Sequence, residues 1–205
     1  MSKSKHVLAV FCHPHRDSFS GAILDQFVTG AESVGHDVEV ADLYGEGFDP
    51  VMTMRDLEQF DGVPMPPEII AEQKRVEQAD ALCLVFPLWW WSMPGMLKGW
   101  LDRVWSAGWA YEMKYDPHGS LLEPRPCTML VPAGASHKMM GWHDYDEKIE
   151  VLWRHGVLDY CGVEPAAIHL LLDSAWNAEK RAEHLKLAYR AGKHCMTAPQ
   201  ELPEE

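Results

Sequence analysis

The sequence predicts an α/β domain built on an open, doubly wound parallel sheet of five strands, with helices on both faces. Two observations carry that prediction. Short apolar runs alternate with stretches of helical periodicity along nearly all of the 205 residues; this is the rhythm of right-handed βαβ units, which produce a parallel sheet. The run Ala81 to Phe86 is apolar throughout rather than alternating, as expected of a strand covered on both faces.

Each element follows in order. His6 to Phe11 reads as the first strand, and Ser20 to about Val34 as a helix stopped by Gly35. Asp37 to Asp42 is a second strand, with alternating polarity, and Pro67 to Ala79 a helix. Ala81 to Phe86, the third strand, ends at Pro87, which cannot donate to a sheet ladder. Ser92 suits an N-cap and Pro94 the first turn of a helix from Met93 to Trp105. Cys127 to Val131 is the fourth strand, Asp146 to Tyr160 a helix, Ala167 to Leu172 the fifth strand and Ala178 to Cys195 a last helix. Five such strands match the order 2-1-3-4-5 of the flavodoxin-like fold, whose ligand crevice lies beyond the carboxyl ends of the strands. One domain over 1–205 is expected. Two long connections, Tyr44 to Pro66 and Ser106 to Pro126, have the length of functional or interface loops. The tail after Thr197 reads as frayed.

Composition narrows the function. Hydrophobic residues make up 47% and charged residues 24%, as in ordinary globular domains, and the length suffices for a sizeable core. A net charge of −13 without a basic run argues against nucleic acid or an anionic membrane as partner. The apolar runs are too short for a membrane span. Cys12, Cys83, Cys127, Cys161 and Cys195 are scattered, and no cleavable signal is evident at Met1-Ser2-Lys3-Ser4-Lys5, so a soluble protein of the reducing cytosol is expected. The 11 histidines show no metal-ligand spacing, and no metal is expected. There is no G-x-S-x-G elbow for Ser-His-Asp chemistry.

Three loops carry candidate chemistry. Trp89, Trp90 and Trp91 follow the third strand. Consecutive residues point in different directions, so three adjacent indoles cannot share one core; they suit a wall for a flat conjugated ligand. After the first strand, Cys12 to Ser20 runs into a helix N-terminus, a favourable place for a phosphate. Ser18 and Ser20 offer hydroxyls there, and His13 and Arg16 offer charge. After the fourth strand, Pro132, Ala133, Gly134 and Ala135 let backbone approach a ligand closely. In this topology the three loops converge on one crevice.

At these residues the chain resembles the NAD(P)H:quinone oxidoreductase family of flavodoxin-like flavoenzymes. The resemblance rests on FPLWWWSMPGMLKGWLDRVW at 86–105 with Ala110-Tyr111, on HPHRDSFS at 13–20, and on VLWRHGVLDYCGV at 151–163. Glu72 to Arg75 with Ala79-Asp80 adds to it, and the likeness covers nearly the whole chain. It implies a ping-pong reaction in which NAD(P)H and a quinone-like acceptor use one site in turn and hydride passes between them by way of a bound flavin, FAD or alternatively FMN. It places phosphate and adenine-side contacts on His13, Ser18, Phe19 and Ser20. Isoalloxazine contacts fall on Pro87, Leu88, Trp89, Trp90 and Trp91. The family's Thr-Thr-Gly-Gly loop falls on Pro132, Ala133, Gly134 and Ala135, which lack both hydroxyls and one glycine. The family's tyrosine near the flavin is replaced by Met140, and its histidine falls at His143 or Asp146. His143 is thus the catalytic candidate, with Tyr111, beside Trp109, walling the acceptor site. The family also implies a homodimer, for which Trp100, Trp105 and Trp109 with the long 106–126 loop would supply exposed aromatic surface. Two other readings share the fold: a one-electron flavodoxin-type carrier, and a regulatory subunit like those of bacterial potassium-efflux systems.

Overall fold

The computed structural model describes residues 4–112 and 119–203. The expectations at Met1–Lys3, in the middle of the 106–126 connection and at the last two residues lie outside them. Five strands, β1 (His6–Phe11), β2 (Asp37–Asp42), β3 (Ala81–Val85), β4 (Cys127–Pro132) and β5 (Ala166–Leu171), form one sheet in the order β2-β1-β3-β4-β5. Every pairing is parallel. This is the predicted flavodoxin-like sheet, and each strand lies within a residue of its expected place.

Helices α1 (Phe19–Ser33) and α7 (Ala178–Lys193) cover one face of the sheet. They bury Val7, Ala9, Phe11, Cys83, Val85 and Leu130 against Ile23, Leu24, Phe27 and Ala191. The two helices cross closely because both present glycine at the contact. A Cβ on Gly30 would stand 2.0 Å from the Tyr189 carbonyl oxygen, and one on Gly192 would stand 2.0 Å from that of Phe27. The other face packs α3 (Pro67–Gln78), α4 (Gly95–Val104) and the segment after α6 (Tyr145–Glu150) over Leu8, Val10, Leu84 and Phe86. The short helices α2 (Met54–Leu57) and α5 (His137–Met140) sit inside stretches expected to be irregular.

Three local expectations are corrected. Helix α4 begins at Gly95 with Pro94 as its N-cap, not at Met93 with Ser92 as the cap, because Ser92 is engaged in a turn with Trp89. The helix expected over Asp146 to Tyr160 is α-helical only to Glu150; Val151–Leu158 is a π-helix and Asp159–Cys161 a 3₁₀ turn. Its buried side chains explain the widening. Trp153 and Leu158 are five residues apart and both face the core, a spacing that i→i+5 bonding keeps on one side. Third, Trp100 and Trp105 are buried, and Trp109 is half-buried. Trp100 donates its indole N–H to Glu72 at 2.8 Å and Trp109 donates to Glu77 at 2.6 Å. These indoles therefore do not form an exposed aromatic surface.

The edges and the long 44–66 connection are pinned by polar side chains. Gln200 bonds both the N–H and the C=O of Ile168 in edge strand β5, at 3.0 and 2.8 Å, occupying groups that could otherwise recruit another strand. Arg103, 4% exposed, bonds fully buried Asp56 at 3.0 and 3.1 Å and the Asp49 carbonyl at 2.7 Å. Among the described residues no helix is long and apolar enough to cross a membrane.

Candidate active site

Strand order places the ends of β1, β3 and β4 side by side, and their loops meet in hydrogen bonds and ring contacts. After β1, Ser18 caps α1, its hydroxyl accepting from the Gly21 N–H at 3.3 Å. Ser20 is buried, and Phe19 packs on the α1 face. The N–H groups of Phe19 and Ser20 have no acceptor among the described residues, which leaves them open to an anion at the helix N-terminus. His13 lies in the same loop. Its Nδ1 lies 2.9 Å from the His15 carbonyl and 3.0 Å from the His15 N–H, and its ring is 6.0 Å from that of Trp89. Arg16 is drawn away onto Asp25 and over the Phe11 ring, so its charge is already paired.

After β3, Pro87 and Leu88 carry the chain to a tight turn. Trp89 and Ser92 exchange backbone hydrogen bonds of 3.1 and 3.0 Å. Between them Trp90 and Trp91 both hold positive φ, 51° and 56°, as in a type I′ turn, which normally takes Asn-Gly. The turn throws the three indoles in three directions. Trp89 faces His13, Trp90 stands 89% exposed, and Trp91 lies 4.8 Å from the Tyr145 ring at an interplanar angle of 34°. Leu88 donates its N–H to Pro132 at 2.9 Å, tying this turn to the end of β4.

Pro132 closes β4 and Ala133 is buried; Gly134 and Ala135 reach the surface. The loop is held from behind by the turn after β5. Ser174 donates its N–H to Ala133, Asp173 donates to Ala135, and the buried Ser174 hydroxyl meets His184 at 3.2 Å. Burial, with Lys180 nearby, lowers the pKa of His184. The N–H groups of Gly134 and Ala135 have no acceptor among the described residues. Ser136 caps α5, and Met140 is buried in the core.

The residue that sequence reasoning missed is Tyr145. It is half-buried on Trp91, with His143 edge-on at 5.5 Å, whereas His143 and Asp146 are exposed. Its only sequence signal is an aromatic residue at the first position of a helix near the expected histidine. Tyr111 lies elsewhere. It pairs with Tyr160 at 5.8 Å and lines a groove of about 580 Å³ with Met52, Leu101, Trp105 and Val157.

All five cysteines are free and buried, and burial pushes Cys12, Cys127 and Cys161 up to about 12, so these thiols are poor nucleophiles. The remaining donors and surfaces fit a flavin. Flat indole faces stand at Trp89 and Trp90, unclaimed backbone donors at 134–135 and 19–20, and the buried Trp91 Nε1 has no partner among the described residues.

Residues 5–194 match the flavodoxin-like fold family. An uncharacterized NAD(P)H oxidoreductase of Haemophilus influenzae is 31% identical over 83% of this chain and 88% of its own length. The human ribosyldihydronicotinamide dehydrogenase [quinone] is 30% identical over 80% of this chain and 79% of its own. Among solved structures, the NAD(P)H:quinone oxidoreductase of Methanothermobacter marburgensis superposes with a TM-score of 0.84. It is 32% identical and covers 94% of this chain and 97% of its own.

Proposed function

The chain belongs to the flavodoxin-like fold family, and on that premise we propose that it is a flavin-dependent NAD(P)H:quinone oxidoreductase acting on quinones or similar acceptors. The observation that carries this reading is the strained Trp89–Ser92 turn set against the open N–H donors of Gly134 and Ala135. When bound, a flavin supplies the two-electron relay between NAD(P)H and the acceptor. Trp89, Trp90 and Trp91 with Pro87 and Leu88 hold the ring system. The free N–H groups of Gly134 and Ala135 would donate to its polar edge and stabilise negative charge there. Ser18, Phe19 and Ser20, with His13, hold the phosphate.

The resemblance implies FAD, with FMN the alternative; the isoalloxazine ring and the phosphate next to the ribityl chain are common to both. NAD(P)H as donor is supported by the names of the Haemophilus influenzae and Methanothermobacter marburgensis proteins, and a quinone as acceptor by those of the human and Methanothermobacter marburgensis proteins. The protein is proposed to work in the cytosol as a homodimer. Support for a dimer comes from Val51, Met54 and Phe60, which are 63%, 76% and 52% exposed along the 44–66 connection, and from the groove around Tyr111 beside Met52. In that assembly Tyr111 walls the partner's acceptor site. No observation among the described residues favours the one-electron carrier or the potassium-efflux subunit.

The reading is tested by titrating apo-protein with FAD and with FMN while following the thermal midpoint, and by heat-releasing any bound chromophore for mass measurement. One of the two is expected to raise the midpoint and to match the released mass. A colourless protein indifferent to both contradicts the proposal.

A further inference from the structure

Resting on the oxidoreductase reading, we propose that Ser174 and His184 are a pair of positioning residues that tune the flavin. The Nδ1–H of His184, acting through the Ser174 hydroxyl, holds the turn after β5. That turn aims the free N–H groups of the 133–136 loop, and so favours reduced flavin over oxidised.

Peptide geometry carries the inference. The Ala133 carbonyl and the Gly134 N–H share one planar trans peptide and point opposite ways. Ser174 donates its N–H to that carbonyl at 2.9 Å, so the Gly134 N–H is turned away from the β5 turn, toward the open side of the loop. The next peptide but one is gripped alike. Asp173 donates its N–H to the Ala135 carbonyl at 2.9 Å, and the Ser136 N–H has no acceptor among the described residues. Two gripped carbonyls thus fix two outward donors. The turn that grips them is itself strained, because Asp173 holds a left-handed φ of 60°, a conformation that needs support from its surroundings.

The support comes from side chains. The Ser174 hydroxyl donates its single hydrogen to the Leu171 carbonyl at 2.5 Å, and that carbonyl also takes the Ala133 N–H at 3.0 Å. Ser174 therefore ties its own turn to the ends of β4 and β5. With its hydrogen committed, the hydroxyl oxygen can only accept at His184, 3.2 Å away, so Nδ1 is the protonated ring nitrogen. Burial and Lys180 lower the His184 pKa, outweighing Glu183 and Asp173, which leaves the ring neutral at pH 7 as the Nδ1–H tautomer. His184 lies on the buried face of α7 with Ala188 and Ala191, so a long helix backs the turn. Both side chains are buried behind the loop; they act through the donors and not on the acceptor. Reduction puts negative charge on the polar edge of the flavin, so aimed donors stabilise the reduced form more than the oxidised one.

The test loads apo-protein with FMN or FAD, whichever wild type retains, and measures the two-electron midpoint potential against a reference dye. His184→Leu removes the N–H, Ser174→Ala removes the link, and His184→Asn returns an N–H close to the place of Nδ1. The Leu and Ala variants are each expected to lose about tenfold in preference for reduced flavin, a potential about 30 mV lower. That is less than the roughly hundredfold cost of deleting such a donor outright. The double variant should lose no more than either single one, as expected of residues acting as a unit, and His184→Asn should stay near wild type. Wild-type apo-protein labelled with nitrogen-15 gives a readout that needs neither variant nor flavin: the His184 ring should show a protonated Nδ1 and a bare Nε2.

An unchanged potential in His184→Leu and Ser174→Ala, even with a lowered thermal midpoint, would make the pair merely structural and overturn the proposal. A lowered potential that His184→Asn does not restore would overturn it too. So would a neutral wild-type ring protonated at Nε2, a result that stands even if the variants fail to fold. Wild-type protein that takes up neither flavin while its Nδ1 is protonated as expected would instead refute the oxidoreductase reading itself.

Discussion

Trp90 and Trp91 occupy backbone positions that L-residues avoid, with φ of 51° and 56°. The left-handed region costs a residue with a Cβ roughly 1–2 kcal/mol, and strain of this kind persists where function requires it. Because Trp90 is almost fully exposed, it adds little packing in return. Trp90→Gly is therefore expected to leave the thermal midpoint of the apo-protein level or raise it, while flavin affinity falls about tenfold at most, the upper end for one lost stacking face. A drop in apo stability with affinity intact would contradict the role given to this turn.

His169 makes an opposite kind of statement. It lies buried in β5 with Nε2 unpartnered among the described residues, and burial lowers its pKa to about 4. Between the unfolded value near 6.5 and that folded value, the unfolded chain carries a proton that the folded chain refuses. Stability is complete above about pH 6.5 and is lost as pH falls toward 4, by on the order of 3 kcal/mol. Urea unfolding at pH 7 and pH 5 should show about 2 kcal/mol of this loss, and His169→Leu should remove most of it.

At the scale of elements, the strands were legible because four are short, mainly apolar runs and β2 alternates in polarity, each set off by turn or helix signals. The helices were legible because their periodicity is strong. What the sequence hid is tertiary. Asp56 and Arg103 are 47 residues apart, and nothing local marks them as a buried pair. Burial alone would raise the pKa of Asp56, yet the Arg103 and Thr53 hydrogen bonds outweigh it and hold the carboxylate below its usual range. Arg103→Met strands that carboxylate and should cost about 3–5 kcal/mol in urea unfolding, with part of the loss recovered in the Asp56→Asn, Arg103→Met double variant. Likewise the π-helix follows from the five-residue spacing of Trp153 and Leu158, visible only once it is known that both side chains are buried.

For the whole molecule, the sheet order brings loops after β1, β3 and β4 together, and this convergence was the part of the site readable from sequence. Tyr145 was not readable, because its place depends on the left-handed reversal at Asp144. The dimer was expected on indoles that turn inward to Glu72 and Glu77; the exposed side chains of the 44–66 connection now carry that proposal. Light scattering at micromolar concentration should give twice the chain mass of 23.3 kDa, and Met54→Asp with Phe60→Asp should reduce it to one. The measurement closest to the central claim is an anaerobic single turnover. Flavin-loaded protein mixed with NAD(P)H should lose its yellow colour, and a quinone added afterwards should restore it with one quinone consumed per flavin. Retained colour on adding NAD(P)H, or a bleached protein that a quinone cannot restore, would contradict the account.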